Sequence, residues 1–301
     1  MSEYTLPVRN FGTTGISVPA IGFGAGHIGD PAQDEDEIEK LLNELVELGI
    51  TLFDTARSYG LSEERIGRFL KHRRDDIIIS TKVGYGVEGV PDWTYDAVAR
   101  GVDEALERLQ TDWVDLVFLH SCPKHILEEG EVIRALEDAF DEGKIRLLGY
   151  SGENDPRDWA LYSNRFNGIQ SSINLYDQKF ISTSLWNAKQ RGLGIMAKRS
   201  LGNAPWRFED YPEGHYSAEY WSRALQMNLA ELKPDEMSWA ELAVRFSVFT
   251  YGVDCALIGS TNLEHIKTNL EAVKKGPLPN ELREAIRQRF ENQAYDWAGM
   301  I

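Results

Sequence analysis

"DEDEIEKLLNELVELGITLFDTA", residues 34–56, joins two kinds of apolar pattern in one short span. In its first part Ile38, Leu41, Leu42, Leu45 and Leu48 recur at the spacing that gathers side chains on one face of a helix. In its second part, residues 51–56, Leu52, Phe53 and Ala56 supply the apolar surface of a buried strand. That strand also carries Asp54, and Tyr59 follows in "TLFDTARSYG". A buried, unpaired carboxylate costs several kcal/mol or takes up a proton, so Asp54 requires a cationic partner elsewhere in the chain.

The same alternation recurs along the chain. Candidate strands are "AIGFG" (20–24), "TLFDTA" (51–56), "IIISTKV" (77–83), "DLVFLH" (115–120), "IRLLGYS" (145–151), "GIQSSIN" (168–174), "LGIMAK" (193–198) and "CALIGS" (255–260). Helical patterns lie between them. "AVARGVDEALERLQ" turns Val98, Val102, Ala105 and Leu109 one way, and "EEGEVIRALEDAFDEGK" ends at Gly143, a residue suited to a left-handed stop. Eight strand–helix units with apolar strands predict a parallel sheet closed on itself, a (β/α)8 TIM barrel, because an open sheet leaves two edges to cover. A doubly wound open sheet is the alternative. "VRNFGTTGISVP" predicts a β-hairpin ahead of the barrel, and residues 202–235 read as a long irregular stretch rich in aromatics. One helix (262–273) and a further segment (278–291) follow the last strand. All 301 residues are read as one barrel domain, with no interdomain linker.

Composition narrows the function. A net charge of −16 argues against nucleic acid and against an anionic membrane surface, both of which recruit Lys and Arg. The two cysteines, Cys122 and Cys255, are far apart and offer no metal-ligand spacing, which suits a reducing compartment. "MSEYTLPVRN" lacks a secretory pattern and no apolar run spans a bilayer, so a cytoplasmic location is expected. No metal site is expected.

In a barrel of this kind, functional side chains project from the C-terminal ends of the strands. Polar residues stand there: Asp54, Lys82, His120, Ser151, Gln170, Lys198, Arg199 and Ser260. Neighbouring strands lie about 4.8 Å apart, so the second and third can bring Lys82 to Asp54. A free phenol titrates near ~10 and a free lysine near ~10.4. A cationic Lys82 beside Tyr59 is expected to favour the phenolate, with Asp54 keeping the ammonium charged and His120 orienting an incoming oxygen. The product is a proton donor aimed at a developing alkoxide. Reducing a carbonyl also needs an external hydride. Taken singly, each of these residues has an ordinary reading as a salt bridge, a core histidine or a packed ring; their joint position points to chemistry.

"FDTARSYG", "STKVG" and "DLVFLH" resemble the aldo-keto reductases, and the likeness runs along nearly the whole chain. "NFGTTGISVPAIGFG" is similar to that family's opening hairpin and first strand, and "IGSTNLEHIKTNL" to its cofactor-phosphate segment. The resemblance implies NAD(P)-dependent reduction of a small carbonyl substrate, with Tyr59 as acid/base and Asp54, Lys82 and His120 in support. It implies that Ser151 and Gln170 hold the nicotinamide carboxamide. Where the family has Asn after that serine, this chain has Gly152, with Asn154 two residues further on. "AKRSLG" matches a segment whose aromatic ring stacks on the nicotinamide, placing Lys198 at the stacking position beside Arg199, Ser200 and Leu201. A cation there is expected to favour the reduced cofactor. Ser260, Thr261, His265 and Asn269 match adenosine-phosphate positions, at a helix start that favours a phosphate. With no Asp or Glu at the strand end, NADP(H) is favoured, NAD(H) remaining possible. His27, Tyr85 and Trp93 are candidates for lining the substrate pocket. Oxidation of a sugar or other alcohol is the alternative direction, and a cofactor-bound redox-sensing module acting through a partner is the alternative class.

Overall fold

Strand Val8–Asn10 (β1) pairs antiparallel with Ser17–Pro19 (β2), the hairpin expected ahead of the barrel. The computed structural model describes residues 6–301; residues 1–5, the start of the leading segment considered above, lie outside it. Eight parallel strands follow: Ile21–Gly24 (β3), Leu52–Asp54 (β4), Ile78–Val83 (β5), Val114–His120 (β6), Ile145–Ser151 (β7), Gly168–Ser172 (β8), Gly194–Lys198 (β9) and Cys255–Ile258 (β10). The sheet closes where β10 pairs with β3, Ala256 lying beside Ile21, so the barrel is formed and the open sheet is not.

Closure imposes a period of two on every strand. Leu52, Leu116, Phe118, Leu147, Met196, Cys255 and Leu257 meet inside the barrel, and Phe11 and Val18 of the hairpin join them there. Their neighbours Phe53, Val117, Leu119, Leu148, Ile169 and Ile195 pack outward in the larger core shared with the helices. The hairpin therefore plugs the N-terminal end, and Gly168 and Gly194 make room for it. A Cβ on either would lie 2.7 or 2.3 Å from the Phe11 ring. Burying that ring stabilises the closed bottom by about 1.5–3 kcal/mol.

The inward parity continues upward. Two residues beyond Leu52 is Asp54; two beyond Ser80 is Lys82; two beyond Phe118 is His120. Gly149 leads to Ser151, Gly168 to Gln170 and Ser172, and Met196 to Lys198. Polar residues at the C-terminal strand ends thus face one another across the barrel axis.

Some expectations need correction. In "EEGEVIRALEDAFDEGK" the helix is Glu131–Asp141; Glu128 and Glu129 end a preceding helix, Lys124–Glu129, because Gly130 takes φ 83° and breaks the run, and Gly143, at φ 77°, is the left-handed stop expected. Residues 202–235 are not irregular throughout: Ala218–Met227 is a helix, flanked by the short turns Pro205–Arg207 and Leu229–Glu231. Tyr220, Met227 and Leu229 enter a second core with Tyr176, Phe246 and Phe290, and Trp206 stacks on Trp239. The last helices, Leu263–Lys274 and Asn280–Gln293, lie within two residues of the expected spans. Among the described residues, no helix is long and apolar enough to cross a membrane, and no group of three His, Cys, Asp or Glu side chains gathers to hold a metal ion.

Candidate active site

Asp54 has the partner its burial demands. Lys82 Nζ donates to Asp54 Oδ2 at 2.6 Å and to the Thr55 carbonyl at 2.8 Å. Both side chains are buried, at 1% and 4% exposure, so little solvent screens the pair. Burial pushes the Lys82 pKa down, but the charges of Asp54 and Tyr59 and their hydrogen bonds outweigh it, leaving the ammonium above the usual lysine value.

The other carboxylate oxygen is held in part from β8, a strand that the sequence pattern does not connect to it. Asp54 Oδ1 accepts from Ser80 Oγ and from Gln170 Nε2, each at 2.8 Å. Ser151 Oγ in turn donates to Gln170 Oε1 at 2.8 Å. Gln170, matched by resemblance to a carboxamide-binding position, is therefore also the link between β7 and the Asp54 carboxylate.

Tyr59 sits half-buried in the loop after β4, its ring centroid 4.9 Å from Lys82 Nζ and 6.1 Å from the His120 ring at 86°. That loop is clamped to the segment after β3. Leu61 N–H donates to Gly29 O, and a Cβ on Gly29 would lie 1.5 Å from the Tyr59 carbonyl oxygen. The buried Arg65 guanidinium ties down the same segment through the Ile28 and Asp30 carbonyls at 2.5 and 2.7 Å. Thr55, Ser62 and the Ala25 carbonyl complete the clamp as a chain of buried hydrogen bonds.

His120 ends β6 and lies against Tyr85, whose Oη is 2.8 Å from Nδ1. Burial first, then the charges of Lys82, Lys198 and Arg199, push the imidazolium pKa from 6.5 down to about 2. The ring is therefore neutral near pH 7. Trp93 packs against Tyr85, with ring centroids 5.5 Å apart. His27 stands apart from these two: it is exposed, on the turn Ala25–Gly29 beside Gly259.

Lys198 and Arg199 are engaged by groups the motif reading missed. Lys198 Nζ is 3.4 Å from Oε1 of Glu153, a buried carboxylate that also accepts from Ser171 Oγ and Ser172 N–H. Burial lowers the Lys198 pKa against the pull of Glu153. The net charge at the matched stacking position is thus smaller than "AKRSLG" suggests; the signal was Glu153, which stands between the Gly152 and Asn154 considered above and was not itself read. Arg199, at φ 55°, donates to Ser172 Oγ at 3.0 Å and to the Met300 carbonyl. The same C-terminal segment occupies Asn154, whose amide exchanges hydrogen bonds of 3.0 and 2.8 Å with the Gly299 backbone. Asn154 is therefore engaged with the C-terminal segment. Ser200 is buried, its carbonyl taking the Ser247 hydroxyl, and Leu201 packs on the core.

At the far end, Asn262 caps the helix Leu263–Lys274 through the Glu264 N–H, and Ser260 Oγ lies 3.0 Å from Asn262 N and 3.4 Å from His265 Nδ1. Thr261 and His265 are exposed. Asn269, on the next turn, is 4% exposed, and its Oδ1 has no hydrogen-bond partner among the described residues. A buried orphan acceptor on the same helix as a capped start that carries serine, threonine and histidine fits a ligand with both a phosphate and donor groups, such as an adenosine phosphate.

Comparison with known proteins bears on what this arrangement belongs to. The Aldo/keto reductase family model matches residues 20–289. The chain is 30% identical over 285 residues to the L-galactose dehydrogenase of Arabidopsis thaliana, covering 89% of this chain and 88% of that protein. It is 25% identical to the D-threo-aldose 1-dehydrogenase of a Pseudomonas species, over 85% of this chain and 90% of the other. Among solved structures, the holo form of an aldo-keto reductase from Bacillus halodurans superposes with a TM-score of 0.81 at 29% identity, covering 94% of this chain and 96% of that one.

Proposed function

The chain belongs to the aldo/keto reductase family, and on that footing we propose that it reduces aldehyde or ketone groups to alcohols with NADPH, Tyr59 delivering the proton to the carbonyl oxygen. The observation that carries this reading is the buried ion pair below the phenol, Lys82 Nζ at 2.6 Å from Asp54 Oδ2 with the Tyr59 ring 4.9 Å from the same nitrogen. An ammonium fixed there stabilises the charge left on the phenol oxygen as its proton departs, and Asp54 keeps that ammonium charged and in place. Neutral His120 adds no competing cation and serves as a hydrogen-bonding group for the carbonyl oxygen.

A bound nicotinamide supplies the hydride, which no side chain offers. Ser151 and Gln170 would hold its amide, Lys198, Arg199, Ser200 and Leu201 would flank it, and Ser260, Thr261, His265 and Asn269 would hold the adenosine end. His27, Tyr85 and Trp93 would border the substrate. The phosphate-friendly helix start and the absence of an acid at the end of β10 support NADPH over NADH. A charge-assisted phosphate contact is worth a factor of about ten or more, so NADPH is expected to bind at least about ten-fold more tightly than NADH in a fluorescence titration. Equal affinities would remove the preference.

The two dehydrogenases named above are named for sugars, which favours a second reading: oxidation of an aldose with the same residues run in reverse. A steady-state assay of reduced-cofactor absorbance, with aldehydes and ketones in one direction and aldoses in the other, separates the two. Turnover in neither direction, by folded protein saturated with cofactor, would sink both.

The clamp on Tyr59 yields its own test. Gly29→Ala forces a methyl against the Tyr59 carbonyl and is expected to shift the phenol away from Lys82. Displacements of about 1 Å at a reacting group cost roughly 10²-fold, so kcat is expected to fall by about that factor with cofactor affinity retained. Retained kcat in the folded variant would mean that Gly29 does not position the phenol.

A further inference from the structure

We infer that Tyr85 is a positioning residue for His120: its hydroxyl donates to Nδ1, which confines the ring's one proton to Nε2 and makes that nitrogen a hydrogen-bond donor. The inference rests on the proposed carbonyl chemistry only for its rate readout; the tautomer is a property of the protein alone.

The geometry is built rather than incidental. The Oη–Nδ1 distance is 2.8 Å, and the two rings stack with centroids 5.4 Å apart at 26°. Tyr85 is held in that pose from behind by Trp93. The Trp93 ring lies across Gly84, where a Cβ would meet it at 2.2 Å, and Trp93 N–H closes the loop onto the Gly84 carbonyl at 2.7 Å. Gly84 at φ 130° and Trp93 at φ 60° are the backbone conformations this clasp requires. Gly86 is fastened on both sides, by Asp92 through its N–H at 2.8 Å and by Arg57 through its carbonyl at 2.6 Å.

A neutral imidazole has one proton for two nitrogens, and the partner of one nitrogen decides the state of the other. The ring here is neutral, because burial and three nearby cations oppose its protonation. Two arrangements satisfy the Tyr85 contact. If Nδ1–H donated to the phenol oxygen, Nε2 would be a bare lone pair, able to accept but unable to donate to a carbonyl. If the phenol donates to Nδ1, Nε2–H is the donor. A phenol O–H is the better donor of the two groups and an imidazole nitrogen the better acceptor, which favours the second. Ser58 Oγ, 3.2 Å from Tyr85 Oη, fits either arrangement: it can accept the phenol proton in the first or donate to the phenol oxygen in the second, so the choice rests on donor and acceptor strength. One strand end therefore serves both sides of the site: Lys82 supports Tyr59, and Tyr85, three residues on, supports His120.

The test is nitrogen-15 NMR of histidine-labelled protein without cofactor, the His120 signals being identified by their loss in His120→Gln. The expected result is protonated Nε2 and unprotonated, hydrogen-bonded Nδ1 in the native protein. In Tyr85→Phe, which keeps the ring, a mixture of tautomers or a switch to Nδ1–H is expected, with kcat lower by about ten-fold and cofactor affinity unchanged. A native Nδ1–H tautomer overturns the inference, and so does a Tyr85→Phe variant whose tautomer is unchanged, whatever its rate. Absence of turnover in the native protein would instead defeat the proposed function and leave the tautomer measurement standing.

Discussion

Tyr59→Phe is expected to lower kcat by about 10³-fold while the protein folds normally and binds reduced cofactor as before. The substitution removes one oxygen and keeps the ring, so the packing of Tyr59 against His120 and the Lys82 ammonium survives. What disappears is the proton. General acid catalysis by a positioned group contributes roughly 10²–10⁴-fold, and the site holds no ready substitute. His120 is neutral, and Lys82 is committed to Asp54 and the Thr55 carbonyl. Asp54 is tied to Lys82, Ser80 and Gln170. The measurement is kcat on the best carbonyl substrate with cofactor saturation shown independently; turnover within ten-fold of native in the variant removes Tyr59 from the mechanism.

Lys82→Met is expected to remove both activity and about 3–5 kcal/mol of stability, because it leaves the Asp54 carboxylate buried without its counter-ion. Asp54 is 3% exposed and its two remaining partners, Ser80 and Gln170, are neutral. The lone carboxylate is relieved by taking up a proton, so the deficit is expected to be smaller at pH 5 than at pH 8. Adding Asp54→Asn to Lys82→Met removes the stranded charge and is expected to recover at least half of the lost stability with no return of activity. Urea unfolding of the two singles and the double at both pH values decides this. Equal stability of Lys82→Met and the native protein would mean that the pair is not the charged, desolvated couple described here.

The alternation of apolar runs and amphipathic stretches pointed to the barrel, and the pairing of β10 with β3 decided it over the open sheet. Closure demands a repeated unit whose strands are apolar on both faces, and that is a local pattern readable from residues such as Ile38 to Leu48 followed by Leu52 and Phe53. Asp54, Lys82 and His120 were legible for the same reason in reverse. A charged or polar residue ending such a run is costly unless it has a use, and strand ends gather at one mouth. The hairpin and the stop at Gly143 were likewise local.

Other features lay beyond any local pattern. Gln170 and Asp54 are 116 residues apart, and only the barrel's register and parity bring the amide onto the carboxylate. The same holds for Glu153 neutralising Lys198, and for Gly299 and Met300 occupying Asn154 and Arg199. The helix within 202–235 does carry a helical apolar spacing in Tyr220, Ala224 and Met227, but it is short and set between aromatic-rich turns, so it was read as part of the loop. The chain by itself determined which groups stand at the rim, since secondary structure follows from side-chain spacing. Which of those groups touch was decided by closure, because a contact between distant strands depends on where each strand starts and which way its residues alternate, and neither is written in the residues beside it.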